Sequence, residues 1–538
     1  MTPGAVYVPG EVRQSGFLRT TAAALRPRSQ AIYVAVICLV LAAAVWLRWS
    51  GLNSQSMWAD EGFSAWFSQF SPGTQWHLLS WDTQGPMYHI ALHYWVALWG
   101  TSEISYRALS ALFSTLSLAV FFLIAHKMWP DRLFVSLSLM LYSFTFFQIW
   151  YAKETRTYAL LAFLLLTSIY CMLLCLSQPS MLRLLGLAAA LSAALYTHNM
   201  TLYYLPGLMA FWFVYPSQIT LGTRLRYVVI LAGIVFLLYI PWLPTLARQV
   251  ISVHGYYWAP KPSVKDLLST FDIFSGIDIY VLEGLRQHLP IRRGLGLRTW
   301  MLIPPAILVL SMAGTWWGTR SIDRRKSMAL QLLALFPILL VFSWSQVSRS
   351  VYVNRNLIGV CALIPLVLCA PIAVQVGNKR RVFQAVVLAL LIGVVTSLSL
   401  HQERKDDWRG VTEYMLKIPE RERLVVVLQP YCQILVNYNS TGLFKSYPKT
   451  DMTGLITQFN AVPQGPGLLP DLNAADPAAI LSPAIDSHKY KEIDIALQLE
   501  RLPPKVQAIP EFLKTHCSSV ENIEFGKLEV SRCYIQSN

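Results

Sequence analysis

The sequence predicts an α-helical polytopic membrane protein with eleven transmembrane helices, one helix in the membrane interface, and a small α/β domain after the last span. Three observations carry this. Of the 538 residues, 54% are hydrophobic and only 14% charged, against about 25% charged in soluble globular proteins. Mean hydropathy is +0.44. The apolar residues gather into runs matching the roughly 20 residues a helix needs to cross about 30 Å of hydrocarbon. A water-soluble enzyme, a disordered chain and a coiled coil are excluded.

The runs lie near 31–47, 107–126, 133–151, 157–177, 182–197, 200–215, 227–247, 299–318, 328–346, 356–376 and 382–400. The stretch 86–99 is too short to cross and carries His89 and His93, so it reads as an interfacial helix. About 30 polar residues precede the first run and no small-residue cleavage site follows it, so it is expected to stay as a span.

Lys and Arg number 44 against 29 Asp and Glu, a net +15. In a soluble protein that excess points to nucleic acid. Here the basic residues sit between apolar runs and act as topology signals, so no nucleic-acid partner is expected. The arm 1–30 carries Arg13, Arg19, Arg26 and Arg28. If it is cytoplasmic, the alternate loops bearing Lys127, Arg132, Arg183, Arg224, Arg226, Arg320, Arg324, Arg325, Lys326, Lys379, Arg380 and Arg381 are cytoplasmic too. The opposite short connections hold only Arg48, Arg107, Lys153, Arg156, Arg349 and Arg355. The stretch 248–298 reads as a long outer loop, which weighs less in this rule. The expected layout is therefore a cytoplasmic arm (1–30), a membrane domain (31–402) with an outer loop 49–106, and an extracytoplasmic tail (403–538).

With this sidedness the unusual polar clusters all face outward: Trp58-Ala59-Asp60-Glu61, Asp82, Lys153-Glu154-Thr155-Arg156, His198, and Arg349 through Arg355. Charged groups at membrane depth are costly and mark sites. Clusters from distant stretches at one face predict a shared cavity.

Asp60 and Glu61 are adjacent, so their side chains point in different directions and are expected to differ in role. One suits a general base in a partly desolvated cleft. The alternative is a carboxylate pair complementing the dipole of a helix over 62–70. Asp82 is either a second acid facing the cavity or a cap for the helix that Pro86 starts. His89 and His93 share one helical face, but two histidines without a third ligand make a poor metal site. Lys153 and Arg156 oppose the positive-inside trend and need partners: a phosphate ligand, or Glu154 between them. Arg107 and Arg355, at outer span ends, either bind an anion or snorkel to the surface. His198 is either a ligand contact or a structural hydrogen-bond donor, and Tyr352 either stacks on a ligand or belongs to the membrane's aromatic belt.

In the tail, 406–417 reads as a helix, 424–428 as a buried strand, 446–484 as loop and 522–535 as a closing hairpin. Cys432, Cys517 and Cys533 lie in this polar region, enough for one disulfide. No Walker loop, Rossmann glycine fingerprint or CxxC pair is present, so nucleotide-driven chemistry has no support.

The strings WADEGFSAWFSQF (58–70), DTQGPMYHIALHYW (82–95) and GTSEISYRALSALFS (100–114) resemble the first outer loop of GT-C superfamily glycosyltransferases. The nearest groups are glycosyltransferase family 39 and the bacterial RgtA/B/C/D-like branch, which include protein O-mannosyltransferases and lipid A aminoarabinose transferases. WYAKETRTYALL, LYTHNMTLYYLPG, VYVNRNLIGVCALIPL and DWRGVTEYM resemble later family segments. The resemblance implies an inverting hexosyl- or pentosyltransferase in a bacterial inner membrane. It would move a sugar from a polyprenyl-phosphate donor to a hydroxyl of a glycan, lipid or protein on the periplasmic side. Asp60 then matches the proposed base and Asp82 a second acidic position. Arg107, Lys153, Arg156 and Arg355 are expected around the donor phosphate, with Glu154, His198 and Tyr352 near the substrate. Gln84-Gly85-Pro86 replaces a His-Pro-Pro or Lys-Pro pattern common in relatives. No cofactor is required by these residues; a divalent metal stays open. The rival readings are a lipid-linked glycan flippase, which needs polar groups along a path, and a ligase or polymerase using a diphosphate-linked donor.

Overall fold

A computed structural model of the chain describes residues 15–79, 84–256, 259–276, 302–317, 319–400, 405–416, 423–427, 435, 438–439, 492–498, 509–525 and 528–535. The chain is an α-helical membrane protein with a small C-terminal sheet. In order, the helices are α1 (Ser15–Trp49), α2 (Ala59–Phe67), α3 (Pro72–Leu78), α4 (Met87–Trp99), α5 (Glu103–Met128), α6 (Arg132–Phe144), α7 (Phe146–Ala152), α8 (Tyr158–Ser177), α9 (Met181–Thr197), α10 (Thr201–Val214), α11 (Leu221–Tyr239), α12 (Leu243–Tyr256), α13 (Val264–Ser275), α14 (Ile303–Gly314), α15 (Ser321–Val347), α16 (Ile358–Val374), α17 (Gly377–Leu400) and α18 (Trp408–Leu416).

Seven helical stretches among the described residues are long and apolar enough to cross a membrane. The pair α6–α7 makes an eighth if taken as one span bent by 55°. The bend sits at Thr145, whose backbone leaves the helical region (ψ 118°). Three shorter apolar helices, α9, α10 and α14, fall on the remaining expected runs. α16 is the centre: every residue from Ile358 to Ile372 is buried. α1, α11 and α17 lie at the periphery, with Leu39, Val229 and Ile392 each about 70% exposed. Water would not tolerate so much continuous apolar surface, but lipid does.

The helix that carries the first span begins at Ser15, within the arm. One expectation changes. The stretch 248–298 is not all loop: α12 runs into it, and α13 is a separate helix started by a Ser263–Asp266 capping box and ended by Gly276 at φ +79°. The interfacial helix expected over 86–99 is α4.

In the tail, β1 (Arg423–Val427), β2 (Glu492–Gln498), β3 (Ser519–Phe525) and β4 (Leu528–Tyr534) form one sheet in the order β1-β2-β4-β3. β1 and β2 are parallel, and β4 is antiparallel to both neighbours. The expected hairpin is β3–β4, with a helix α19 (Ile509–His516) before it. Cys517 and Cys533 form a disulfide at its open end. The predicted loop 446–484 lies outside the described residues. β2 carries no assignment at the sequence level; its Asp494 is buried because Arg532 of β4 donates to it at 2.8 and 3.2 Å.

Candidate functional site

The site is built where α2, the α7–α8 turn, the start of α16 and the first residues of the tail meet. Trp58 is the N-cap of α2, so Asp60 and Glu61 fall in its first turn, where a carboxylate complements the helix dipole. Neighbouring residues on a helix are about 100° apart. The two carboxylates therefore separate, Glu61 inward and Asp60 to the rim.

Glu61 is completely buried. Arg107 grips it with two bonds, Nε to Oε1 and Nη2 to Oε2, both 2.8 Å. The Thr155 backbone N–H donates to Oε1 at 3.0 Å and Lys405 Nζ to Oε2 at 2.9 Å. Burial by itself would raise the Glu61 pKa, but the Arg107 and Lys405 charges and hydrogen bonds outweigh it and hold the carboxyl at about 2. Arg107 also donates through Nη1 to the Leu52 and Gln55 carbonyls and through Nη2 to that of Ser56. All five of its N–H groups are thereby engaged within the protein. The expected phosphate contact at Arg107 gives way to this anchoring role, and Glu61 is anchored in place rather than available to substrate.

Asp60 is different. Its side chain is 32% exposed, and Oδ2 lies 3.5 Å from Arg156 Nη2 and 3.5 Å from Arg355 Nη1. Arg156 is buried and also reaches the Asp60 carbonyl at 3.3 Å. With its amide oxygen turned toward the guanidinium, Gln84 accepts from Arg156 Nη2 and Nη1 at 3.0 and 3.1 Å. The Arg355 guanidinium sits 5.9 Å from the ring centroids of both Trp58 and Tyr158. In this arrangement an accessible carboxylate can remove a proton, and the two guanidiniums beside it can hold an anion.

Glu154 adjoins this cluster. It is buried, its Oε1 is 3.9 Å from Lys405 Nζ, and its Oε2 has no hydrogen-bond partner among the described residues. Burial pushes its pKa up to about 7, against the pull of Lys405. Lys153 is half-buried, with its pKa lowered by burial and by the nearby Arg48 and Lys405 charges. His198 caps α9, accepts from the Met200 N–H at 3.2 Å, and is kept neutral by burial and the Arg156 charge, its pKa near 3. It pairs as an isolated β-bridge with Gln84. Gly85 is required beside that bridge: a Cβ there would lie 2.0 Å from the Tyr196 carbonyl oxygen.

Tyr352 has a structural bond: its hydroxyl pairs with Thr270 Oγ1 at 2.7 Å, and Thr270 donates to Asn354. This fastens α13 to the loop that presents Arg355. Asp82 lies outside the described residues. Among the described residues no group of three or more His, Cys, Asp or Glu is placed to hold a metal ion. His93 bonds the Ser68 carbonyl through Nδ1 at 2.8 Å, and His89 is buried against Phe67, so the two do not converge.

Lys405 escaped the sequence reading. Besides Glu61 it donates to the Lys153 carbonyl at 3.2 Å, and its ammonium lies 5.3 Å from the Trp150 ring centroid. Its neighbour Arg409 bonds Glu103 at 2.7 Å, and Tyr438 donates to the Thr101 carbonyl. These bonds put the tail at the same end of the bundle as the 49–106 loop. The only signal lay in the run Glu403-Arg404-Lys405-Asp406-Asp407, which reads as a solvated charge cluster.

Fold and site together define a polytopic membrane protein with an ionic pocket at one end of its helical bundle. The structure is similar to ArnT from Cupriavidus metallidurans bound to undecaprenyl phosphate, with a TM-score of 0.51 at 13% identity over 93% of this chain and 97% of that one. It is also similar to the oligosaccharyltransferase of Archaeoglobus fulgidus (TM-score 0.45, 11% identity, 86% and 68% covered). A third similar structure is the mycobacterial arabinofuranosyltransferase AftD (0.46, 11%, 93% and 40%). No family model and no curated protein matches the chain. The chain has the GT-C fold.

Three outcomes follow from this geometry. Glu61→Gln or Arg107→Met strands a buried charge and should cost about 3–5 kcal/mol, read as a lowered thermal midpoint or loss of folded protein in detergent. Glu154 has an ordinary pKa of 4.5 raised to about 7, so the unfolded chain loses its proton first. Its contribution to stability should fall as pH rises from about 4.5 to about 7, by on the order of 1–3 kcal/mol. The difference in thermal midpoint between wild type and Glu154→Gln across that range measures it. Lys405→Met removes the nearest cation and should move that window to higher pH; an unmoved window would detach Lys405 from Glu154.

Proposed function

We propose that this protein is an integral-membrane inverting glycosyltransferase, moving a sugar from a polyprenyl-phosphate donor to a hydroxyl acceptor on the extracytoplasmic face. The observation that carries the reading is Asp60: of the cluster's three carboxylates it is the accessible one, 32% exposed against 0% for Glu61 and 2% for Glu154. It also touches both Arg156 and Arg355. The GT-C fold supports it, as does the undecaprenyl phosphate bound in the ArnT structure of that fold.

In the proposed reaction the acceptor hydroxyl attacks the anomeric carbon while its proton passes to Asp60. The new acceptor-oxygen bond forms as the carbon–oxygen bond to the phosphate breaks. The leaving group is the polyprenyl phosphate, whose growing charge Arg355 and Arg156 neutralise. One displacement inverts the anomeric centre. A lipid-linked donor suits this position, because its phosphate rests at the bilayer surface with its tail in hydrocarbon. Lys153 would add positive charge, and the chelator arm of the test below decides whether a divalent metal takes part. The extracytoplasmic assignment rests on the distribution of Lys and Arg in the short loops.

The test is transfer by purified protein in detergent with a panel of polyprenyl-phosphate sugars, with and without chelator. Asp60→Asn should lower turnover about 10²–10⁴-fold while the protein still folds. Near-normal turnover in that variant would remove Asp60 as the base. Movement of the intact lipid-linked sugar across a bilayer, with no transfer, would replace the reading with transport.

A further inference from the structure

A second polar feature lies at the opposite end of the bundle. α5 begins beside the site, with Arg107 in its second turn, and ends 26 residues later at Met128. At about 1.5 Å per residue that is roughly 39 Å, a bilayer's depth. There a cavity of about 690 Å³ opens between the ends of α5, α8 and α10 and the starts of α11 and α15. Lys127 and Lys326 line it together with Tyr215, Thr220 and Thr223.

The electrostatics favour an anion. Two lysines line the cavity, and α11 and α15 begin at it, adding the positive ends of their dipoles. Lys326 is fixed there: its Nζ donates to the Met128 carbonyl at 2.8 Å and lies 5.8 Å from the Trp129 ring centroid. Asp323, whose charge reaches Lys326 and Tyr215, accepts a hydrogen bond from Trp129 Nε1 at 3.1 Å. The rim is in part apolar: Leu173, Leu176, Ile219 and Ile322 line it, and Ile322 is 51% exposed. A free phosphate has no use for that rim, whereas acyl chains do.

We infer that this cavity binds the phosphate headgroup of an anionic phospholipid, whose acyl chains leave it past Ile219 and Ile322. Basic pockets between membrane helices are suited to such headgroups, each Lys near the surface strengthening the attraction. The site is separate from the Asp60 pocket and needs no transferase activity.

The full chain, purified in detergent, is titrated with dioctanoyl-phosphatidylglycerol, dioctanoyl-phosphatidylcholine or inorganic phosphate while the thermal midpoint is followed. Phosphatidylglycerol should raise the midpoint saturably, and the other two should not at equal concentration. Lys127→Gln, at an exposed side chain, and Lys326→Gln should each raise the half-saturating concentration roughly fivefold. Lys127→Arg should restore it. Equal effects of phosphatidylcholine and phosphatidylglycerol, or unchanged affinity in the double variant, overturn the proposal. An effect of inorganic phosphate matching that of phosphatidylglycerol also overturns it, in favour of a free-anion site.

Discussion

Everything at the Asp60 end of the bundle hangs on the buried grip of Arg107 on Glu61. It joins α2 to α5, and Arg107 pins the carbonyls of residues 52, 55 and 56 in the same movement. Glu61 in turn fixes the α7–α8 turn through Thr155 and the tail through Lys405. A charge pair in such an apolar setting is costly unless each lone pair and proton has a partner. Here the partners are drawn from four separate stretches of chain, so the pair organises the end of the bundle as much as it stabilises it.

That constraint also sorts the two acids. With Glu61 held inward, helical geometry leaves Asp60 only the rim, between guanidiniums supplied from the start of α8 and the start of α16. Arg156 and Arg355 are themselves held from elsewhere. Gln84 and the Asp60 carbonyl locate Arg156, and the Tyr352–Thr270–Asn354 chain locates the loop before Arg355. The polar residues that read as substrate contacts in the sequence thus include several that serve the positions of others.

The membrane helices were legible because their signal is local: apolar composition over about 20 residues says the same thing wherever the run lies. Asp60 and Glu61 were legible as a pair with divided roles because a 100° turn separates adjacent side chains on any helix. Which of them was the free one was not legible, because the partner of Glu61 lies 46 residues away. Lys405 was less legible still, 344 residues from Glu61 and set in a run of mixed charge that looks solvated. β2 was hidden for a similar reason: Asp494 in its middle argues against a buried strand until Arg532 is placed opposite it. The bend at Thr145 has no proline to announce it. Local patterns set the elements, and long-range charge pairing sets what the site is.

The arrangement at Asp60 bears on how a donor would enter. At 3.5 Å from each guanidinium, its carboxylate is in ion-pair range yet longer than the 2.8 Å grip on Glu61. The difference follows from exposure. Glu61 has lost all its water and must be satisfied by protein, whereas Asp60 keeps part of its hydration and makes looser contacts. Loose pairs are cheap to rearrange. A phosphate arriving beside Arg355 competes for a guanidinium already shared with Asp60 and would loosen that pair. Anion binding and release of the Asp60 carboxylate would then be one event, driven by the same arginine.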